Sequence, residues 1–223
     1  MAHPWELNEA DAIARQQCLA SEVVREDRLG DIRYVAGVDA AYDEKYGQIY
    51  AAAVVLDAGS LEAVDCANTR EAVQFPYVPG LFSFRELPAI GRAMERLKTR
   101  PDLIVCDGHG VAHPRRFGLA CHLGVWLNIP TIGCAKTRLL GDAGAPGLKR
   151  GERTTLVDKG EVIGCVLRTQ DNTKPLHVSI GHLISLPTAC DWVLRLSPNH
   201  RLPETTRQAD QMVRRLRART QPI

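Results

Sequence analysis

The stretch DLIVCDGHGVAHPRRFGLACHLGVWLNIPTIGCAK, residues 102–136, decides the fold. It opens on four apolar residues ending in Asp107 and closes on five residues, TIGCA, ending in Lys136. Short apolar runs of this kind, without polar alternation, are strands buried on both faces. The segment between them, GVAHPRRFGLACHLGVWLN (110–128), reads as a helix, so the whole is a strand, a crossover helix and a parallel strand.

Working outward, SFRELPAIGRAMERLK (83–98) places Leu87, Ile90, Met94 and Leu97 at helical spacing. Before it lie three strand candidates, YVAGVDAAY (34–42), IYAAAVVLD (49–57) and LEAVDCANTR (61–70). Their connections DEKYGQ and DAGS are short and rich in turn residues. They predict a three-strand meander, followed by β-α-β-α-β, in a mixed α/β sheet with helices on both faces. An amphipathic helix over about Glu9–Arg28 precedes the sheet. A loop over 141–151, strands over 161–168 and 175–181, and helices over about 187–196 and 204–218 complete it. No repeat or linker divides the chain, so residues 1–223 are read as one domain.

Composition narrows the possible functions. Of 223 residues, 45% are hydrophobic and 24% charged, ordinary for a globular protein. No apolar run approaches the roughly 20 residues of a membrane span. Glu6, Glu9 and Asp11 interrupt any secretory leader. A soluble, cytoplasmic protein is expected. Seven cysteines, at 18, 66, 106, 121, 134, 165 and 190, form no C-x-x-C pair and fit reduced, mostly buried thiols. The net charge of +2 does not by itself call for a nucleic-acid partner. From Arg201 onward, however, six arginines face only Glu204 and Asp210, on a last helix that is either solvated or turned to phosphate.

Ligands of open α/β sheets bind at the carboxyl ends of the strands. Three strands end there on a charge: Asp39 after VAGV, Asp107 after LIVC, Lys136 after TIGCA. An acid following buried apolar residues is costly unless paired, hydrogen-bonded or metal-bound. Glu86, beside Leu87, either completes a capping box with Ser83 or supplies a third carboxylate. Three oxygen donors suit Mg²⁺ or Mn²⁺, and carboxylate-held metals beside basic groups are an apparatus for phosphodiester hydrolysis.

In DGHGVAHPRR (107–116), Gly108 and Gly110 permit close backbone approach to a ligand, and Arg115 and Arg116 are read at a helix start. His113 is suited to a place beside an activated water, whereas His109 is read as structural, bonding its own loop. Cys106, His109, His113 and Cys121 lack zinc spacing, since Cys106 and Asp107 face opposite sides of a strand. In PYVPG (76–80), Pro76 and Pro79 frame Tyr77 and Val78. The motif is either a rigid turn with a buried Tyr or an exposed aromatic able to wedge into a base stack.

AGVDAAY, FPYVPGLFSFRE, DLIVCDGHGVAHPRRFGLACHLG, PTIGCAK and RLPETTRQAD together resemble the endonuclease V family of deoxyinosine-specific repair nucleases, over roughly Ser21–Asp210. The resemblance implies an RNase H-like fold. It implies Mg²⁺, with Mn²⁺ able to substitute, held by Asp39 and Asp107 with Glu86 as a third acid. His113 would orient or activate water, and Lys136 would bind the scissile phosphate. Tyr77 would be the wedge. The substrate site would comprise Pro76–Gly80, Gly108–Gly110 and Arg115. The implied reaction cuts the second phosphodiester bond 3′ to the lesion, leaving 3′-hydroxyl and 5′-phosphate ends. The implied partner is deoxyinosine-containing DNA, with inosine-containing RNA as the alternative, for a monomer with no membrane role. Thr137, Cys121 and Thr205 stand where the family often has Lys, Ser and Pro. The other readings are a different RNase H-like repair nuclease and a lesion-binding module without turnover.

Overall fold

Ten-residue pairing builds the first half of the sheet. β1 (Tyr34–Asp43) and β2 (Gln48–Asp57) run antiparallel from Tyr34↔Asp57 to Asp43↔Gln48, and β3 (Ala63–Ala72) pairs with β2 at the sheet edge. On the other side of β1 lies β4 (Leu103–Cys106), parallel and in register from Val35↔Leu103 to Val38↔Cys106. β5 (Thr131–Ala135) continues parallel to β4. β8 (Leu176–His182), β7 (Glu161–Leu167) and β6 (Arg153–Asp158) then extend it antiparallel. The order is β3-β2-β1-β4-β5-β8-β7-β6. This computed structural model describes residues 5–220. Residues 1–4 of the stretch read for a leader, and 221–223 of the Arg-rich end, lie outside the described residues.

Both faces of the central strands are covered, which is why their sequences do not alternate. Ala36, Val38, Ala51 and Ala53 pack with α2 (Phe82–Glu95) and α3 (Leu119–Leu127). Val35, Val54, Leu103 and Val105 face the opposite layer, with α4 (Leu186–Arg195) and α5 (Glu204–Thr220). α5 lies close enough to β1 that a Cβ on Gly37 would stand 2.2 Å from the Thr205 carbonyl. α1 (Glu9–Ala20) runs beside α3, and its Ala12 joins Phe75 and Phe84 in a separate apolar cluster. No described helix is long and apolar enough to cross a membrane.

Four local expectations are corrected. The helix over 110–128 is confined to Leu119–Leu127. Residues 107–118 instead form a folded loop, held by Val111 N–H to the Ile180 carbonyl at 2.8 Å and Gly118 N–H to the Gly110 carbonyl at 3.0 Å. Gly110, Pro114 and Gly118 disfavour helix there, and the apolar Val111, Ala112 and Phe117 are buried loop anchors. Arg115 and Arg116 therefore precede the helix rather than start it. The N-terminal helix ends at Ala20, not Arg28. Val24 instead bonds the end of β8, its carbonyl accepting from Leu183 N–H at 2.7 Å and its N–H donating to His182 Nδ1 at 3.2 Å.

Strand β6 was not expected. It is joined to β7 by Lys159–Gly160, both at positive φ (54° and 81°), the conformation of a tight hairpin turn. Finally, α2 begins after Leu81, so Ser83 lies inside the helix and caps nothing. Its hydroxyl bonds His122 Nδ1 at 2.9 Å, which removes the capping-box use of Glu86.

Gly37→Ala is expected to cost about 1–3 kcal/mol, by forcing β1 and α5 apart. Gly30→Ala, which meets nothing within 4 Å, should change stability by under ~0.5 kcal/mol. Thermal unfolding of the two variants side by side checks this.

Candidate active site

The register of β1 with β4 assembles the centre of the site. Asp39 and Asp107 each follow one residue after the pair Val38↔Cys106, so they emerge side by side on the same face. Cys106 pairs with Gly133, which puts Lys136 on the face of Asp107. The Lys136 ammonium donates to Asp107 Oδ2. Burial lowers the Lys136 pKa, but the bond to Asp107 and the charges of Asp39 and Asp210 more than offset this, so it is held above its ordinary value.

Glu86 arrives from α2 in the opposite layer. It is buried and accepts from the Tyr42 hydroxyl at 3.2 Å. Burial, then the charge of Asp39, raises its pKa well above the usual carboxylate value. Asp39 is pushed up to about 7 by burial, with Asp107 and Asp210 adding repulsion. Asp210, on α5, is a fourth carboxylate that sequence reading missed. It joins Asp39 and Lys136 around a cavity of about 400 Å³ whose rim carries Arg214 and Arg217. Arg214 bonds back to Asp210 at 3.0 Å.

This donor set suits a hard divalent cation. Among the described residues, neither Asp39 nor Glu86 has an ion-pair partner, although each is electrostatically coupled to further carboxylates. Added positive charge is what such a cluster lacks. Among the described residues, no three His, Cys, Asp or Glu side chains are grouped closely enough to hold a metal ion together. An ion that retains waters and takes substrate phosphate needs only one or two carboxylates directly, as Mg²⁺ does. The donors are all oxygen, which suits Mg²⁺ or Mn²⁺ better than zinc.

A second cavity, about 500 Å³, adjoins the first through Lys136. Tyr77, Val78, Pro79, Gly80, Asp107, Gly108, His109, His113 and Lys136 line it, as do Gln16, Phe82 and Leu139, which carried no recognisable signal in the sequence. Pro76, Gly110 and Arg115, expected in the substrate site, do not line it. Gly110 is buried, its N–H donating to Ser179 Oγ at 2.8 Å. Tyr77 is 68% exposed, so the motif is not a turn with a buried Tyr. Arg116 is committed to Asp158 and Glu161, at 2.7 and 2.6 Å.

The two histidines are held neutral. His109 bonds the Thr137 backbone, and burial, reinforced by His177, lowers its pKa to about 4. His113 falls to about 4 through burial and the neighbouring Arg115 charge. Its Nε2 lies 3.1 Å from the Gly80 carbonyl, and its Nδ1 accepts from the Arg115 N–H at 3.2 Å. A carbonyl only accepts, so the proton sits on Nε2 and both ring nitrogens are engaged by the main chain. The expectation places His113 beside an activated water; in this arrangement both of its ring nitrogens already have main-chain partners.

His113 binds fewer protons folded than unfolded between pH 4 and its unfolded value of about 6.5, so stability rises with pH across that window. Its contribution is complete above about 6.5 and is lost as pH falls towards 4. Denaturant unfolding of the wild type and of His113→Gln from pH 4 to 7 should give a shallower pH slope for the variant.

Comparison with known proteins places the whole chain. The endonuclease V family model matches residues 17–211. Endonuclease V of Nocardia farcinica is 52% identical over 212 residues, covering 94% of this chain and 93% of the relative. The Trichormus variabilis protein is 48% identical over 211 residues, covering 94% and 96%. Among solved structures, endonuclease V from Streptomyces avermitilis superposes with a TM-score of 0.93 at 45% identity, covering 99% of this chain and 98% of that one. Ciona intestinalis endonuclease V, in complex with a DNA containing an inosine followed by a ribo-adenosine, superposes with a TM-score of 0.83 at 27% identity, covering 95% and 98%. The eight-stranded mixed sheet is thus the RNase H-like fold of these structures, and the chain belongs to the endonuclease V family of nucleases.

Proposed function

We propose that this nuclease recognises deoxyinosine in DNA and hydrolyses the second phosphodiester bond 3′ to it, leaving 3′-hydroxyl and 5′-phosphate ends. The observation that carries this reading is that Lys136 lines both cavities: the one that holds Asp39 and Asp210, and the apolar-lipped one that holds Asp107 and the exposed Tyr77. Asp39 and Asp107 would hold Mg²⁺, or Mn²⁺ in its place, with Glu86 close behind. The bound ion would polarise the phosphate and acidify water.

The residues themselves divide the remaining work. Lys136, held protonated, offsets phosphate charge as it grows in the transition state. Asp210 adds negative charge beside Asp39 and strengthens the demand for a cation. Tyr77 fills the gap left by an extruded base, and the pocket of about 500 Å³ receives that base. Hypoxanthine lacks guanine's 2-amino group, so its pair is weaker than G·C and cheaper to open, and a close-fitting pocket excludes guanine.

The test uses end-labelled duplexes with one central deoxyinosine, matched duplexes without it, and an inosine-containing RNA. Wild type should nick only the inosine DNA, one nucleotide beyond the lesion, with Mg²⁺ and not with EDTA. Cutting confined to the RNA would move the substrate to RNA, and binding with no cutting would leave a recognition module. Asp107→Asn should lower the single-turnover rate by a factor on the order of 10³ or more while retaining most binding. Tyr77→Ala should weaken inosine binding by about 1–3 kcal/mol, the worth of one base–aromatic stack.

A further inference from the structure

One carbonyl oxygen, that of Gly80, receives three side-chain donors, one from α1 and two from the loop 107–118. Gln16 Nε2 donates at 3.0 Å, Arg115 Nη2 at 2.7 Å and His113 Nε2 at 3.1 Å. The Gln16 carboxamide also donates to the Phe117 carbonyl at 2.6 Å and accepts from Arg115 Nε at 2.5 Å. Gln16 is only 1% exposed, and the catalytic reading gives it no task. A buried amide whose donor and acceptor are both engaged is locked in one orientation.

Gly80 is the hinge between the Tyr77 loop and α2, and its φ of +80° is one that L side chains rarely adopt. At the other end of the loop Phe75 is buried against Phe84, with ring centroids 5.8 Å apart. Between these anchors, Pro76 and Pro79 have fixed φ, and Leu81 N–H closes a turn onto the Val78 carbonyl at 3.0 Å. Tyr77 projects from this short span. The height of its ring over the pocket is therefore set by where the Gly80 carbonyl is held.

We infer that Gln16, Arg115 and His113 form a clamp on the Gly80 carbonyl and are positioning residues for the Tyr77 loop, not groups that act on phosphate or water. The inference rests on the reading of Tyr77 as the wedge. A loop held in place before DNA arrives spends none of the binding energy on its own ordering. The clamp also accounts for His113 and Arg115 turning their polar atoms inward, and it gives α1, remote in sequence from every catalytic acid, a role in recognition.

A double-mutant cycle tests the clamp. Dissociation constants are measured for a duplex with one central deoxyinosine and for its unmodified counterpart, with Ca²⁺ replacing Mg²⁺ and gels confirming intact DNA. The proteins are wild type, Gln16→Ala, Tyr77→Ala and the double variant. Gln16→Ala should reduce the preference for inosine about tenfold, and in the Tyr77→Ala background the same change should reduce it less than about twofold, because coupled residues are not additive. Arg115→Met, at a half-buried position, runs through the same cycle should Gln16→Ala fail to fold. His113→Gln, which can still donate to the carbonyl but cannot serve as a base, should retain most of the preference and cleavage that His113→Ala loses.

Equal losses from Gln16→Ala or Arg115→Met in both backgrounds, or no loss of preference, would overturn the clamp. So would cleavage abolished alike by His113→Gln and His113→Ala with preference intact. A wild type with no preference for inosine would overturn the functional reading along with it, whereas a preference with an additive cycle overturns the clamp alone.

Discussion

Two carboxylates on neighbouring strands repel each other, and the sheet holds them there regardless. Adjacent strands are about 4.8 Å apart, and at that spacing two full charges repel by about 3 kcal/mol at an effective dielectric of 20. The pairing of Val38 with Cys106 leaves Asp39 and Asp107 no other place to go. The backbone bonds and the apolar layers on both faces of β1 and β4 supply the energy that opposes this repulsion. Lys136 relieves Asp107, while Asp39 remains pushed up to about 7. The candidate site thus concentrates negative charge, which a cation bound there would relieve.

The rest of the molecule is arranged around that strand end. The close approach of α5 at Gly37 brings Asp210, with Arg214 bonded to it, to the same cavity as Asp39. On the opposite layer, α2 carries Glu86 in from its first turns and is continuous with the loop that raises Tyr77. A single short span of chain therefore couples the acid cluster to the lip of the pocket. The three hydrogen bonds on the Gly80 carbonyl lie at the joint between them.

The acids were legible in the sequence because each interrupts an apolar run, and burial makes an uncompensated charge expensive there. Asp39, Asp107 and Lys136 could be picked out that way without knowing which strands are neighbours. Glu86 is ambiguous in sequence, since a carboxylate three residues after a Ser has a local use; the helix starting after Leu81, at Phe82, removes the ambiguity. Residues 110–118 read as part of a helix because they run without a break into the helical Leu119–Leu127, and β6 goes unread although Lys159–Gly160 marks a hairpin. Gln16 looked like any polar residue of an amphipathic helix. Asp210 looked like a counter-charge among arginines.

What the sequence determined by itself was local and periodic: the meander, the buried parallel strands, the charges at their ends, the proline frame about Tyr77, and motifs dense enough to mark the family. Each depends on residues within a few positions of one another, or on the cost of burying a charge. What only the tertiary structure decided is how distant groups meet: Asp210 beside Asp39, Glu86 beneath them from the other layer, and Gln16 sharing the Gly80 carbonyl with Arg115 and His113 across 64 residues of chain. Such contacts are made by packing of layers, which leaves no spacing in the sequence to be read. The roles of His113 and Arg115 turn on the same fact, because a side chain's chemistry depends on where its polar atoms point.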